Sequence, residues 1–217
     1  MAVTLINETK HAGDFVATEA VGRRSRDTVT ILSGQNLGVG RVCGKVVEGT
    51  ATGSKISGTG NGTVGAVTLG QNAQVGTYVL TVTAASANAG TFSVVAPDGE
   101  RLPDLTVGVA YASSHINLTI ADGSADWVVG DVVNVVVAAG SGKWVAVAPA
   151  AVDGSQFAAG VLFNAVDATG GDKTGVMMTR ACELNRSRMD FGSLNNTQIA
   201  TAIAQLAALG IIVRAAV

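Results

Sequence analysis

The sequence predicts a mainly β protein with one C-terminal helix: a small mixed α/β core interrupted by an inserted all-β module, sandwich or barrel-like. Three observations carry that prediction. Only 14% of the 217 residues are charged and 4% aromatic, while 47% are apolar, 28 are Gly and 3 are Pro; ordinary soluble domains carry about 25% charge. Short runs of Val, Ile, Leu and Thr alternate with polar residues and end at turn residues, as half-buried strands do. One segment near the C-terminus changes to helical spacing.

Residues 1–26 show no sustained period and read as an extended arm. Val3-Thr4-Leu5-Ile6 alternates briefly, and the segment closes on Arg23-Arg24-Ser25-Arg26, a basic cluster that reads as solvated surface. Thr28–Leu32 then alternates as a strand, Ser33–Asn36 is a turn, and Gly40–Val47 is a second strand. From Gly49 to Ser141 there are two basic and six acidic residues, net −4, against +2 for the remainder of the chain. Such a shift marks a separate module. Within it, strand patterns recur at Thr63–Leu69, Thr77–Thr83, Thr91–Val95, Thr106–Tyr111, Ile116–Ile120 and Val132–Val137, with Asp98-Gly99 and Asp122-Gly123 as tight turns.

Beyond Ser141 the first composition resumes, with strands expected at Lys143–Ala148, Gly160–Phe163 and Gly175–Arg180. Asn195 or Asn196 can cap a helix whose apolar stripe is Ile199, Ile203 and Leu206; Gly210 ends it, and Ile211–Arg214 leaves as a strand. Two flanks of one composition around a different one read as a domain interrupted in a surface loop. The division expected is 1–26 as arm, 27–48 with 142–217 as core, and 49–141 as inserted module.

Composition also excludes function classes. Net charge −2 lacks the basic stripe that bulk nucleic-acid binding needs. The most apolar stretch, Val128–Val152, is broken by Asp131, Asn134 and Lys143 and falls short of a membrane span. No apolar signal segment opens the chain, so synthesis in a cytoplasm is expected. Cys43 and Cys182 are too few for a disulfide framework.

Catalytic and cofactor motifs are weak. Gly60–Gly65 fits G-x-G-x-x-G, but a strand pattern follows where the fingerprint needs a helix N-terminus to hold the pyrophosphate. Gly140-Ser141-Gly142-Lys143 ends like a P-loop but continues into Trp144 where Ser or Thr should bind Mg²⁺. Neither His11 nor His115 has a nucleophile pattern beside it, and Asp122, Asp126 and Asp131 read as turn residues rather than ligands. No enzyme, metal or cofactor is therefore expected. In the module, Trp127, Tyr78, Phe92 and Tyr111 read as core anchors. Tyr78, Tyr111 and Trp127 are alternatively a ligand surface that stacks on a host-surface glycan.

The outer segments resemble a known family. Ser25–Ile31, Gly34–Leu37, Gly40–Lys45, Asp153–Gln156 with Ala159–Leu162, and the ending Leu206–Arg214 look like the lambda-type head decoration proteins of tailed bacteriophages. The inserted module departs from that compact pattern. The resemblance implies a homotrimer bound to the major capsid protein on the outside of the expanded head, cementing it against packaged DNA. It also implies an N-terminal capsid-binding arm, here Val3, Thr4, Leu5, Ile6, Phe15 and Val16. A tail-tube-type virion protein is the rival structural reading, since such proteins share the Gly/Ala/Val/Thr character.

Overall fold

The structure, a computed structural model, describes residues 10–215. It is mainly β, 44% strand, with a single helix near the C-terminus. In chain order the strands are β1 (Val16–Glu19), β2 (Arg26–Ile31), β3 (Asn36–Leu37), β4 (Val42–Lys45), β5 (Glu48–Ser57), β6 (Thr68–Leu69), β7 (Gly76–Ser86), β8 (Ala89–Val95) and β9 (Arg101–Thr106). They continue with β10 (Tyr111–Ala112), β11 (Ile116–Leu118), β12 (Val132–Ala139), β13 (Trp144–Ala146), β14 (Gly160–Leu162), β15 (Val166–Asp167), β16 (Lys173–Met178) and β17 (Cys182–Asn185). Helix α1 (Asn196–Ala208) and β18 (Ile211–Arg214) follow. The chain divides into two compact units. The first holds the residues up to Lys45, Lys143–Pro149 and the chain from Ser155 on; the second holds Val46–Gly142 and Ala150–Gly154.

The first unit is built on a closed barrel in the order β13-β2-β16-β14-β4. Strands β4, β14 and β16 carry apolar doublets because both faces of the wall are buried there. Cys43, Leu162 and Met177 join Ile31 and Trp144 in one cluster, while their neighbours Val42, Val161 and Met178 join Phe15, Leu184, Leu206 and Ile211 in another. A period of two places adjacent residues on opposite faces, so a doublet feeds two cores at once. Close approach dictates Gly44: a Cβ there would lie 2.4 Å from the Ser155 carbonyl oxygen. The second cluster is covered by the three-stranded sheet β1-β17-β18 and by α1.

Helix α1 starts as the sequence predicts. The Asn195 side chain accepts from the Gln198 N–H, and the Gln198 side chain accepts from the Asn195 N–H, both at 3.0 Å. This capping box satisfies two otherwise orphaned donors. Ala202 and Leu206 form the buried stripe, and Gly210 at φ +75° reverses the chain into β18, which runs parallel to β17.

The second unit lays the five-stranded sheet β5-β12-β7-β8-β9 against the three-stranded sheet β10-β11-β6 across one core. Alternation is clean: Tyr78, Leu80 and Val82 of β7 and Val133, Val135 and Val137 of β12 are buried, whereas Val79 and Val136 between them are exposed. Phe92 and Trp127 meet edge to face, centroids 5.2 Å apart.

Several elements differ from the sequence reading. The alternation expected over Thr63–Leu69 survives only as β6 and an isolated Val64–Ile120 bridge. The strand expected at Thr106–Tyr111 sits one turn earlier, as β9, and Gly108 at φ +77° turns the chain before β10. Pro103 hides β9, because a proline demotes a strand pattern yet is tolerated on a sheet edge. β5 has no counterpart in the sequence reading. Its residues, Glu-Gly-Thr-Ala-Thr-Gly-Ser-Lys-Ile-Ser, are mostly exposed and their hydroxyl-rich alternation lacks apolar contrast. Residues 15–26, assigned to the arm from sequence, form part of the first unit: Phe15 is fully buried and β1 pairs with β17. Local alternation could not reveal this, since the partner lies more than 160 residues away.

Candidate functional site

The first described segment of the chain, Lys10–Phe15, is fixed at several points. Lys10 Nζ donates to the carbonyls of Arg188 at 2.9 Å and Met189 at 3.3 Å. A turn follows in which Asp14 Oδ2 accepts from the His11 N–H at 2.8 Å and the Asp14 N–H donates to the His11 carbonyl at 3.1 Å. Gly13 adopts φ +81°, and a Cβ on it would fall 2.8 Å from the Phe163 ring, so only glycine fits both the conformation and the contact. The Gly13 N–H donates to the Phe163 carbonyl at 3.1 Å, and the Phe15 carbonyl accepts from the Asn185 N–H at 2.7 Å.

Arg26 reinforces this corner. Its guanidinium donates to both Glu19 oxygens, at 2.7 and 2.6 Å, and its Cζ lies 3.8 Å from the Phe163 ring centroid. A bidentate ion pair combined with cation–π stacking holds a planar group in one orientation. Phe163 thus braces both Gly13 and Arg26. The adjoining turn presents Val21, 87% exposed, with the Arg24 side chain folded back onto the Val21 carbonyl at 3.2 Å. Ser25 is buried beneath it, accepting from the Ala20 N–H at 3.0 Å and donating to the Ala181 carbonyl at 2.7 Å.

Of the residues assigned to the arm, Val3, Thr4, Leu5 and Ile6 lie outside the described residues. Phe15 is in the core and Val16 is half-buried in β1, opposite Leu184. Phe15 and the β1 strand that holds Val16 are thus packed in the first unit, with β1 paired to β17 along one edge. The structure also corrects the reading of Tyr78, Tyr111 and Trp127 as a glycan-stacking surface. They are 0%, 7% and 1% exposed. Tyr78 Oη accepts from the Gln74 N–H at 2.9 Å, Tyr111 Oη donates to the Pro103 carbonyl at 3.0 Å, and Trp127 Nε1 donates to the Ala121 carbonyl at 3.2 Å. Buried rings with satisfied polar tips are core anchors, so no ring face remains for a sugar.

The motifs set aside from sequence have structural roles. Gly60 lies in the loop after β5, where its N–H and that of Thr59, together with the Val128 N–H from the turn before β12, donate to the buried Asp131 carboxylate at 2.9–3.2 Å. Burial alone would push Asp131 upward, but those donors and the Lys55 charge outweigh it and hold the carboxyl below its ordinary range. His115 is buried with its Nδ1 3.2 Å from Tyr78 Oη. Burial pushes the Cys43 thiol up to about 12 and the Cys182 thiol up to about 11, the environment of inert structural thiols. Among the described residues no cluster of three His, Cys, Asp or Glu side chains could hold a metal ion. No helix among them is long and apolar enough to cross a membrane. A shallow hollow of about 440 Å³ beside Thr68, Tyr111, Asn117 and Thr119 carries no charged group.

Comparison with known families assigns the chain to the capsid decoration proteins of bacteriophages, a structural rather than enzymatic class associated with the virion. The particular family is that of bacteriophage lambda head decoration protein D, whose model matches residues 5–113 and 99–211. The chain belongs to this family. No curated protein gives a significant match. Two crystal structures of Xanthomonas campestris FlgL, in space groups H3 and C2, align at 18% identity with a TM-score of 0.32. The alignments cover 46% and 47% of this chain and 33% of each FlgL chain, so this chain spans about a third of their length.

Proposed function

We propose that the protein binds the outside of the expanded phage head as a homotrimer, contacts the major capsid protein through residues 1–9, and braces the shell against packaged DNA. The observation that carries this reading is the anchored corner at Lys10–Phe15. Gly13, Phe15 and Phe163 fix the chain that directly follows residues 1–9 onto the first unit. The Val3–Ile6 alternation is suited to adding a strand to an exposed sheet edge on the capsid protein. One such strand gives modest affinity after its ordering cost. Three on one trimer reinforce each other through effective concentration, provided that all reach their sites together.

The second unit is, in this proposal, a module inserted in a hairpin of the decoration core and carried on the head surface. The ends of its host strands support this: Lys45 of β4 is directly paired with Trp144 of β13, as in a hairpin whose loop has been replaced. Deletion of residues 1–9 tests the capsid reading. The shortened chain should fold and keep its oligomeric state, while retention on expanded heads in a sedimentation assay drops at least about tenfold. Unchanged retention would refute the proposed contact. Deleting as far as Gly22 would not be a clean test, because it also removes Phe15 and β1 from the core.

A further inference from the structure

The five-stranded sheet of the second unit has two edges, and they are treated differently. β9 is blocked. Pro103 stands in mid-strand, with the Arg101–Asp104 ion pair at 3.0 Å across it, and the Tyr111 hydroxyl occupies the Pro103 carbonyl. Proline and charge are the usual devices by which sheets refuse a further strand. β5, at the other edge, has no proline, and its charged residues are Glu48 at its start, whose N–H donates to the Asp153 carbonyl at 3.0 Å, and Lys55. It is ten residues long, the longest strand with a free edge among the described residues, and it pairs only with β12. From Ala51 to Lys55 its register with Val137 to Val133 is unbroken, so alternate N–H and C=O groups along this run face away from the sheet. Its one lysine does not guard the edge, because Lys55 Nζ is turned back onto the Gly60 carbonyl.

We infer that β5 is a pairing edge and that its partner is β5 of a second copy, joined antiparallel so that the two five-stranded sheets become continuous. An extended strand is the occupant that satisfies a row of main-chain donors and acceptors. β5 matches itself in chemistry. With Thr52 opposite Thr52 of the second copy, Thr50 and Ser54 face each other, so hydroxyl pairs form along the exposed side. Such cross-strand Thr and Ser pairs are favourable. Lys55 then lies opposite Gly49, and no like charges oppose. Every subunit of an assembly carries one β5 edge, and each two-fold, isologous contact between two edges closes on two copies. It links whatever assembly the first unit forms to another one.

Free protein tests this without heads, which keeps the result separate from the capsid proposal. Sedimentation velocity on the full chain at rising concentration should show species heavier than the basal assembly, beginning at twice its mass, whatever its subunit number. The double variants Thr52→Lys with Ser54→Lys, and Thr52→Glu with Ser54→Glu, place like charges at the junction. Each should weaken doubling by at least about tenfold, and mixing the two should restore it. Both positions are exposed, so circular dichroism should be unchanged. No doubling by the unmodified chain, doubling indifferent to both variants, or failure of the mixture to recover it would each overturn the inference.

Discussion

If the second unit is inserted in a hairpin, cutting it out should leave the first unit folded, and the cost can be worked from the structure. The perturbation removes Val47–Gly142 and joins Val46 to Lys143 through Asn-Gly, a dipeptide suited to a two-residue hairpin turn. Lys45 and Trp144 already stand opposite each other, about 5 Å apart at Cα in such a pair, so the shortened loop closes without moving either strand. The main loss lies around Asp153, whose carbonyl accepts from the Val47 and Glu48 N–H groups at 2.7 and 3.0 Å. Two backbone hydrogen bonds at a net 0.5–1.5 kcal/mol each put the loss at about 1–3 kcal/mol.

The assay is urea unfolding followed by tryptophan fluorescence. The chain has two tryptophans, and excision removes Trp127, leaving the nearly buried Trp144 of the barrel as sole reporter. A Trp127→Phe variant of the full chain isolates the same signal. The shortened protein should show one cooperative transition with stability within about 3 kcal/mol of that reference. A deficit above about 5 kcal/mol, or no cooperative transition, would refute the insertion argument, because the barrel would then depend on the module for its core.

Phe15→Ala should destabilise the first unit by about 3–5 kcal/mol in the same experiment, as expected for a fully buried ring; a loss below about 1 kcal/mol would return this residue to the arm. Asp131→Ala should lower the stability of the second unit by about 3 kcal/mol, since three backbone N–H groups lose their acceptor. The pH dependence has a definite sign. A carboxyl held below its ordinary value stabilises fully above the unfolded value of about 3.9 and loses that contribution as pH falls through the folded value. Thermal melts between pH 5 and 2 should therefore fall more steeply for the unmodified chain than for Asp131→Ala.

What was legible in the sequence follows from which faces are buried. β7 and β12 were visible because one face packs and the other meets solvent, giving Val133, Val135 and Val137 against Val132, Asn134 and Val136. The helix was visible because Asn195, Gln198, Ala202, Leu206 and Gly210 each act within a few residues of one another. β1, β3, β15 and β17 were not, because short strands of two to four residues owe their state to partners far away in the chain. The aromatic residues of the module illustrate a different limit. Tyr78, Tyr111 and Trp127 suit a core and a sugar platform equally by residue type, and only their burial and their bonds to Gln74, Pro103 and Ala121 decide between the two.

The composition break near residues 49 and 141 has a geometric counterpart in each unit taken by itself. In the first, Lys45 pairs with Trp144; in the second, Glu48 pairs with Ala139. Entry and exit of the second unit are therefore neighbouring antiparallel strands, as are the strands of the first unit that receive them. A segment whose ends already lie side by side can be added to a hairpin without altering the separation its host strands require. The two units can then differ freely in the demands on their sequences. Barrel strands buried on both faces need doublets such as Val161-Leu162 and Met177-Met178, whereas the module's single core needs only alternate apolar positions and leaves Thr and Ser outside. The sparse charge of the module, eight charged residues from Gly49 to Ser141, follows the same division, with its hydroxyl-rich outer face meeting solvent in place of charged side chains.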